Sequence, residues 1–278
     1  MNDAERPVPP TKVAALFDAL ASDYDQSGTE FFTPVGERLA QLLQPATGER
    51  ALDVGCGRGA VSLPLARAVA PGGSVLAVDA APAMVQATAA QAAAAGIHNV
   101  SAQMADATVL DLGGGFDLVA ASLVIFFFDQ PDAVLSGWVD QLRPGGRIGI
   151  TTFGELDATT RALDALFDPW LPKGLLDART SGTAGPFASD DGVLGLMARA
   201  GAEDLVNVVE PSDLHFADVG AWQRFSMSTG QRMMWSHVPA DKRPALVQRA
   251  AALLADVGDD TGSTLRWNIR YSLGHRPN

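Results

Sequence analysis

Between residues 49 and 153, short apolar runs alternate with segments whose apolar positions recur every three or four residues, the spacing of one helix face. Glu49 to Val54, Val75 to Asp79, Val100 to Met104, Phe116 to Ser122 and Arg147 to Phe153 read as strands. Ala60 to Ala70, Pro82 to Ala95 and Pro131 to Leu142 read as the helices between them, with Thr11 to Gln26 and Pro34 to Leu43 as two more upstream. Parallel neighbours need crossover connections, so this alternation predicts an α/β fold with a doubly wound parallel sheet.

Beyond Phe153 the rhythm breaks. Glu155 to Pro186 mixes a helical pattern (Ala158 to Phe167) with proline, glycine and aromatic residues, which suits a lid. Ser189 to Ala200 resumes as a helix with Ser189 as N-cap and Gly201 as its stop. Leu205 to Phe216 reads as a strand, Asp218 to Val257 as largely helical, and Leu265 to Leu273 as the closing strand. The expected organisation is a mobile tail at 1–10, a core at 11–153, a lid at 154–187, and the remainder of the core at 188–278 with a helical cap at about 218–257.

Composition narrows the classes. The chain has 278 residues, 47% of them hydrophobic and 19% charged, enough apolar material for one large core with a cap. Its longest apolar runs, Ala87 to Gly96 and Leu118 to Phe128, fall short of the roughly 20 residues that cross a bilayer. The first residues lack a basic cluster followed by an apolar stretch, so a cytoplasmic protein with no membrane partner is expected. Cys56 is the sole cysteine, which excludes an internal disulfide and a thiolate-rich metal site, and no metal is expected. A formal charge of -12 opposes nucleic-acid binding, which depends on Lys and Arg meeting phosphates.

The chemistry concentrates in Leu52-Asp53-Val54-Gly55-Cys56-Gly57-Arg58-Gly59, placed between a strand and a helix. Glycines let the backbone turn sharply and approach a ligand closely, offering it bare amides. Asp79, 26 residues after Asp53, ends the second strand, where a carboxylate accepts both hydroxyls of a ribose; Asp106 follows the third. A dinucleotide would place its pyrophosphate on such a turn, but Asp53 repels phosphate and attracts a cationic group. The balance favours a sulfonium nucleoside over NAD.

These segments, LDVGCGRGAVSLPLA, SVLAVDAAPAMV, SAQMADATVLDL, FDLVAASLVIFFFDQP and LRPGGRIGITTF, resemble the successive motifs of class I S-adenosylmethionine-dependent methyltransferases. The likeness is to the small-molecule group that includes ubiquinone and menaquinone C-methyltransferases, and it covers roughly Phe17 to Phe153. PFASDDGVLGLMARAGAEDL and FADVGAWQRFSMSTGQRMMWSHVP are similar, less specifically, to natural-product methyltransferases of the same superfamily. The resemblance implies a Rossmann-like, seven-stranded, mostly parallel sheet with an antiparallel last strand, plus a helical lid or cap. It implies S-adenosylmethionine as cofactor and S-adenosylhomocysteine as product. Asp53, Gly55, Cys56 and Gly57 would line the methionyl and ribose side, Asp79 would hold the ribose, and Ala80 and Met84 would flank the adenine. Asp106 with Ala107 would meet the adenine amino group, Ser122 and Leu123 would cover the sulfonium end, and Tyr24 would close over the cofactor.

One departure matters. Where many relatives carry two histidines, this chain has Phe126-Phe127-Phe128, which cannot move a proton. Of the four histidines, His237 and then His215 are the candidate bases, carried on the C-terminal elaboration. Phe127, Trp170, Trp222, Phe225 and Trp235 are the candidate walls of an apolar acceptor pocket. The expected activity is methyl transfer to a small, largely apolar or aromatic metabolite of secondary metabolism, on oxygen before carbon or nitrogen, by a monomer or homodimer. The alternatives are a methyltransferase-fold protein that catalyses a rearrangement or cyclisation, or a peptide methyltransferase.

Overall fold

A computed structural model describes residues 12–173 and 183–278. The tail expected at 1–10 and part of the lid expected at 154–187 lie outside the described residues. The elements run α1 (Lys12–Leu20), α2 (Phe32–Leu42), β1 (Arg50–Val54), α3 (Ser62–Val69), β2 (Ser74–Asp79), α4 (Pro82–Ala94), β3 (Val100–Met104) and β4 (Phe116–Ser122). They continue with α5 (Pro131–Asp140), β5 (Leu142–Leu156), α6 (Ala158–Ala165), α7 (Asp190–Arg199), β6 (Glu203–Phe216), α8 (Val219–Met227), α9 (Arg232–His237), α10 (Arg243–Ala255), β7 (Gly258–Asp259) and β8 (Gly262–His275).

The strands form one sheet in the order β3-β2-β1-β4-β5-β8-β6, with β7 paired to β8. β8 is antiparallel to both of its long neighbours, β5 and β6, and β1 to β5 are mutually parallel. The chain moves outward through β2 and β3 and then returns to β4 on the other side of β1. Right-handed crossovers therefore place α3 and α4 on one face and α5 on the other. Such a reversal opens a crevice beyond the carboxyl ends of β1 and β4, where open α/β sheets bind ligands.

Register brings one row of residues to that crevice. Val54 pairs with Val78, Asp53 with Ala120, Asp79 with Met104 and Ser122 with Thr151, so Met104, Asp79, Gly55, Ser122 and Thr151 stand level across the strand tips. The flanking strands are apolar and fully buried, as in Ala51, Leu52 and Val54 of β1 and Leu118 to Ala121 of β4, because helices cover both faces.

The last strands differ from expectation in length. β5, β6 and β8 pair well past the row of tips, through Leu156 with Trp267 and on to Phe216 with Ser263. This projecting hairpin carries α8, α9 and α10, and the two-residue β7 is an addition to the seven strands expected. At the other end of the chain α1 stops at Leu20, not near Gln26, because Asp25 adopts a left-handed φ of 55° and its carboxylate caps α2. It accepts from the backbone N–H groups of Phe31 (3.2 Å), Phe32 (3.3 Å) and Thr33 (3.0 Å) and from the Thr33 hydroxyl (2.6 Å). Ser189 caps α7 as expected, accepting from Gly192 N at 3.1 Å. Among the described residues no helix is long and apolar enough to cross a membrane.

Candidate active site

β1 delivers Asp53 to the base of the crevice with no solvent exposure. Its Oδ2 accepts from Ser62 Oγ at 2.5 Å, and its Oδ1 is buried without a hydrogen-bond partner. Burial pushes this carboxyl up to about 7; the Ser62 hydrogen bond opposes the shift, and the nearby charge of Asp79 adds to it. Asp79 is raised as well, again by burial, against the pull of the backbone amides that it accepts from.

The glycine turn divides its labour. At Gly55 (φ 70°) a Cβ would stand 2.7 Å from Val124 Cγ2, so this glycine lets the loops after β1 and β4 touch. At Gly57 (φ 54°) the nearest atom to such a Cβ is Tyr24 Cε1 at 3.9 Å, so the space beside that backbone is open. The amides themselves are not bare, contrary to the sequence expectation. Gly55 N and Cys56 N both donate to Val78 O (2.8 and 3.0 Å), and Gly57 N donates to Asp79 Oδ2 (2.9 Å). Asp79 Oδ1 accepts from Ala81 N at 2.9 Å. Each carboxylate oxygen keeps a second lone pair for a ligand hydroxyl. Cys56 is buried with its thiol receiving the Thr88 hydroxyl at 3.6 Å, and burial pushes that thiol well above its ordinary value.

Tyr24 overhangs the turn, fixed on both sides. Asp25 is held by α2, while Asp23 meets Arg232 Nη2 of α9 at 2.6 Å. The Tyr24 ring stacks on Phe32 at 4.3 Å between centroids and meets Phe17 edge-on at 5.7 Å. Burial and the charges of Asp25 and Asp79 push its phenol well above the ordinary value. Met84 and Ala81 are buried in a small cluster with Ala21, against which Phe17 and Tyr24 pack, so α1 covers the expected adenine wall. Asp18 of α1 accepts from Ala83 N at 2.8 Å, and Arg58 donates to Ala21 O.

On the other side of the reversal, Ser122 Oγ lies 3.0 Å from Thr151 Oγ1. Leu123 holds a left-handed φ of 55° and its N–H reaches Thr151 Oγ1 at 2.9 Å. Ala80 is exposed beside Asp79. Asp106 is exposed too, and its Oδ1 is engaged by Thr108 N (2.9 Å) and Thr108 Oγ1 (2.7 Å); Ala107 O accepts from Trp138 Nε1 (2.8 Å).

The two candidate bases are not brought to the strand tips. His215 sits seven residues past Val208, which is level with the tips through Tyr271 and Thr151, and so about 20 Å along the hairpin. Its ring bonds Thr264 Oγ1 (3.3 Å) and Thr261 O (3.0 Å) on the exposed face. His237 is exposed at the end of α9, where its Nδ1 contacts Met233 O at 2.8 Å in its own helix. Trp222, Phe225 and Trp235 are buried as the core of the cap, with Trp235 packed on Phe167 and Trp222 and its Nε1 donating to Ser226 Oγ at 2.8 Å. Trp170 is half-buried against the main core, and Phe127 is 37% exposed at the crevice, 5.5 Å from Phe17.

Sequence reasoning missed Ser62, Thr88, Thr151, Phe17, Phe32 and Phe153. Small polar and phenylalanine residues on ordinary helix and strand faces give no spacing signal, and only tertiary pairing singles them out.

Residues 51–146 match the family model described as a methyltransferase domain. Nocamycin O-methyltransferase of Saccharothrix syringae is 36% identical over 253 residues, covering 87% of this chain and 89% of that one. Aklanonic acid methyltransferase DauC of Streptomyces sp. strain C5 is 40% identical over 167 residues, 60% of this chain and 76% of its own. Among solved structures, the YcgJ protein of Bacillus subtilis shares the fold with a TM-score of 0.60 at 15% identity, over 88% of this chain and 99% of that one.

Proposed function

This chain belongs to the class I S-adenosylmethionine-dependent methyltransferases of small molecules, and we propose that it methylates an oxygen atom of a flat, largely apolar metabolite. It is an enzyme of secondary metabolism that takes its methyl group from S-adenosylmethionine. The observation that carries the oxygen assignment is the 36% identity to an O-methyltransferase, which spans 87% of the chain and so extends beyond the matched cofactor segment.

The residues at the strand tips fit the cofactor. Asp53 Oδ1 is a buried carboxyl oxygen without a partner, and two acidic groups on adjacent strands, one at the tip and one at the base of the crevice, suit a cation. When bound, S-adenosylmethionine supplies an electrophilic methyl carbon on a sulfonium. In this reading Asp79 accepts the ribose hydroxyls, the open face of Gly57 admits the methionyl chain, and Asp53 faces its positive charge. Cys56 lends backbone, Ala80, Met84, Asp106 and Ala107 surround the base, and Ser122 and Leu123 close the sulfonium end. Tyr24 shuts water out from above. Residues 11–153 then form the cofactor half, with 154–187 and about 218–257 as lid and cap.

The test is incubation with methyl-labelled S-adenosylmethionine and a panel of phenols, enols, carboxylic acids, amines and alcohols. Label recovered as an O-methyl ether or ester is the expected result. Label found only on carbon or nitrogen refutes the oxygen assignment.

A further inference from the structure

Seven aromatic rings close a circuit above the strand tips. From the N-terminal segment, Phe17 meets Tyr24 (5.7 Å) and Tyr24 meets Phe32 (4.3 Å), which touches Phe31 (5.0 Å). From the sheet, Phe153 lies parallel to Phe31 at 6.4 Å and joins Phe126 (5.4 Å), which meets Phe127 (4.8 Å). Phe127 returns to Phe17 at 5.5 Å.

This circuit is unlike the aromatic core of the cap. Trp222, Phe225 and Trp235 are at most 3% exposed; of the circuit, Phe31 (0%) and Phe126 (7%) are buried and form its floor, Phe31 adjoining Phe225, whereas Phe127 is 37% exposed and Phe17, Tyr24, Phe32 and Phe153 are half-buried. Its position is also defined. Tyr24 adjoins the open face of Gly57, Phe126 and Phe127 lie three and four residues after Leu123, and Phe153 stands two residues beyond Thr151, which is bonded to Ser122.

We propose that this circuit is the acceptor seat, and that it takes a planar conjugated acid, an enol, phenol or aromatic carboxylic acid, stacked among the rings and directed at the methyl group. The inference rests on the methyl-transfer reading above and moves the acceptor from the tryptophans of the cap to the phenylalanines of the strand tips. Aromatic faces reward a flat π-surface through offset and edge contacts that a saturated ring system cannot make. Phenylalanine takes no proton, and the Tyr24 phenol is held in its neutral form. An acceptor acidic enough to ionise in water, such as a carboxylic acid or an acidic enol or phenol, enters as its anion, its proton already left with water. Its oxygen lone pair forms the bond to the methyl carbon as the carbon–sulfur bond breaks, and the released electron pair stays on sulfur as a neutral thioether.

Calorimetry on the full chain saturated with S-adenosylhomocysteine tests the seat, using 2-naphthoic acid and its saturated counterpart, decahydro-2-naphthoic acid, as probes. The planar acid is expected to bind at least about tenfold more tightly than the saturated one. Phe127→Leu and Phe153→Leu should each weaken it about three- to tenfold while leaving S-adenosylhomocysteine affinity unchanged, which also reports an intact fold. Equal affinity for the two acids, or variants that bind the planar acid as the unaltered protein does, overturns the seat. Label arriving only on nitrogen or carbon, with Phe127→Leu and Phe153→Leu still selectively impaired, supports the seat and overturns the oxygen reading.

Discussion

Asp23 and Arg232 meet at 2.6 Å across 209 residues of sequence, tying the segment that carries Tyr24 to the first turn of α9. The pair is partly exposed, and Arg232 holds the Asp23 carboxyl below the ordinary carboxylate range. Exposed ion pairs contribute about 0–1 kcal/mol to stability, so its weight lies in orientation. Arg232→Ala should shift the melting temperature only slightly yet weaken S-adenosylmethionine binding several-fold by calorimetry. The exchange Asp23→Arg with Arg232→Asp should recover most of that loss; a double variant as weak as the singles counts against the tether.

Two glycines of one turn should fail in different ways. Gly55→Ala drives a Cβ to 2.7 Å from Val124 at a positive φ, so it should destabilise the fold by about 1–3 kcal/mol, read as a lowered denaturation midpoint. Gly57→Ala has room in the free protein, apart from its own φ of 54°, and should lose less stability while losing far more cofactor affinity. Matching losses in both variants would contradict the division of roles.

Asp53 makes stability depend on pH. Below its ordinary value of 3.8 the group is protonated whether the chain is folded or not. Between 3.8 and about 7 the unfolded chain releases the proton and the folded chain keeps it, so stability falls as pH rises through this window and levels off above it. The slope approaches about 1 kcal/mol per pH unit from this one group. Urea denaturation at pH 5 and pH 8 should show the decline, and Asp53→Asn should reduce it, the raised Asp79 keeping the remainder, while also lowering affinity for the cationic cofactor.

Thr151 positions the turn that leaves β4. Its Oγ1 serves both Leu123 N and Ser122 Oγ, in support of a left-handed leucine. Thr151→Val preserves shape but removes this acceptor, leaving Leu123 N with the Thr151 carbonyl at 3.2 Å, at a cost of about 0.5–1.5 kcal/mol. The expected signature is a fall in kcat with little change in KM for the cofactor, and Thr151→Ser should restore it.

The first strands of the sheet were legible because their signals are local: apolar runs such as the buried β1 and β4, glycines between a strand and a helix, and an acid ending the next strand. Gly55, Asp79 and Ser122 did arrive level on neighbouring tips, with Asp53 two residues below them on β1. The C-terminal elaboration was not legible, because its apolar residues have two destinations that periodicity cannot separate. Trp222 and Trp235 went to the interior of the cap, while Phe153, inside a strand that looked wholly buried, came to the crevice. His215 fell on the outer face by strand alternation, its neighbours Leu214 and Phe216 being the buried ones.

The hydrogen bond from Ala83 N to Asp18 gives the first turn of α4 a cap borrowed from another helix. An N-terminal amide of a helix has no partner within its own ladder, so its protection against solvent exchange depends on α1 staying docked. The deuterium uptake of this single amide is thus a gauge of how often α1 lifts from the start of α4, and it should slow if ligand binding holds the two helices together.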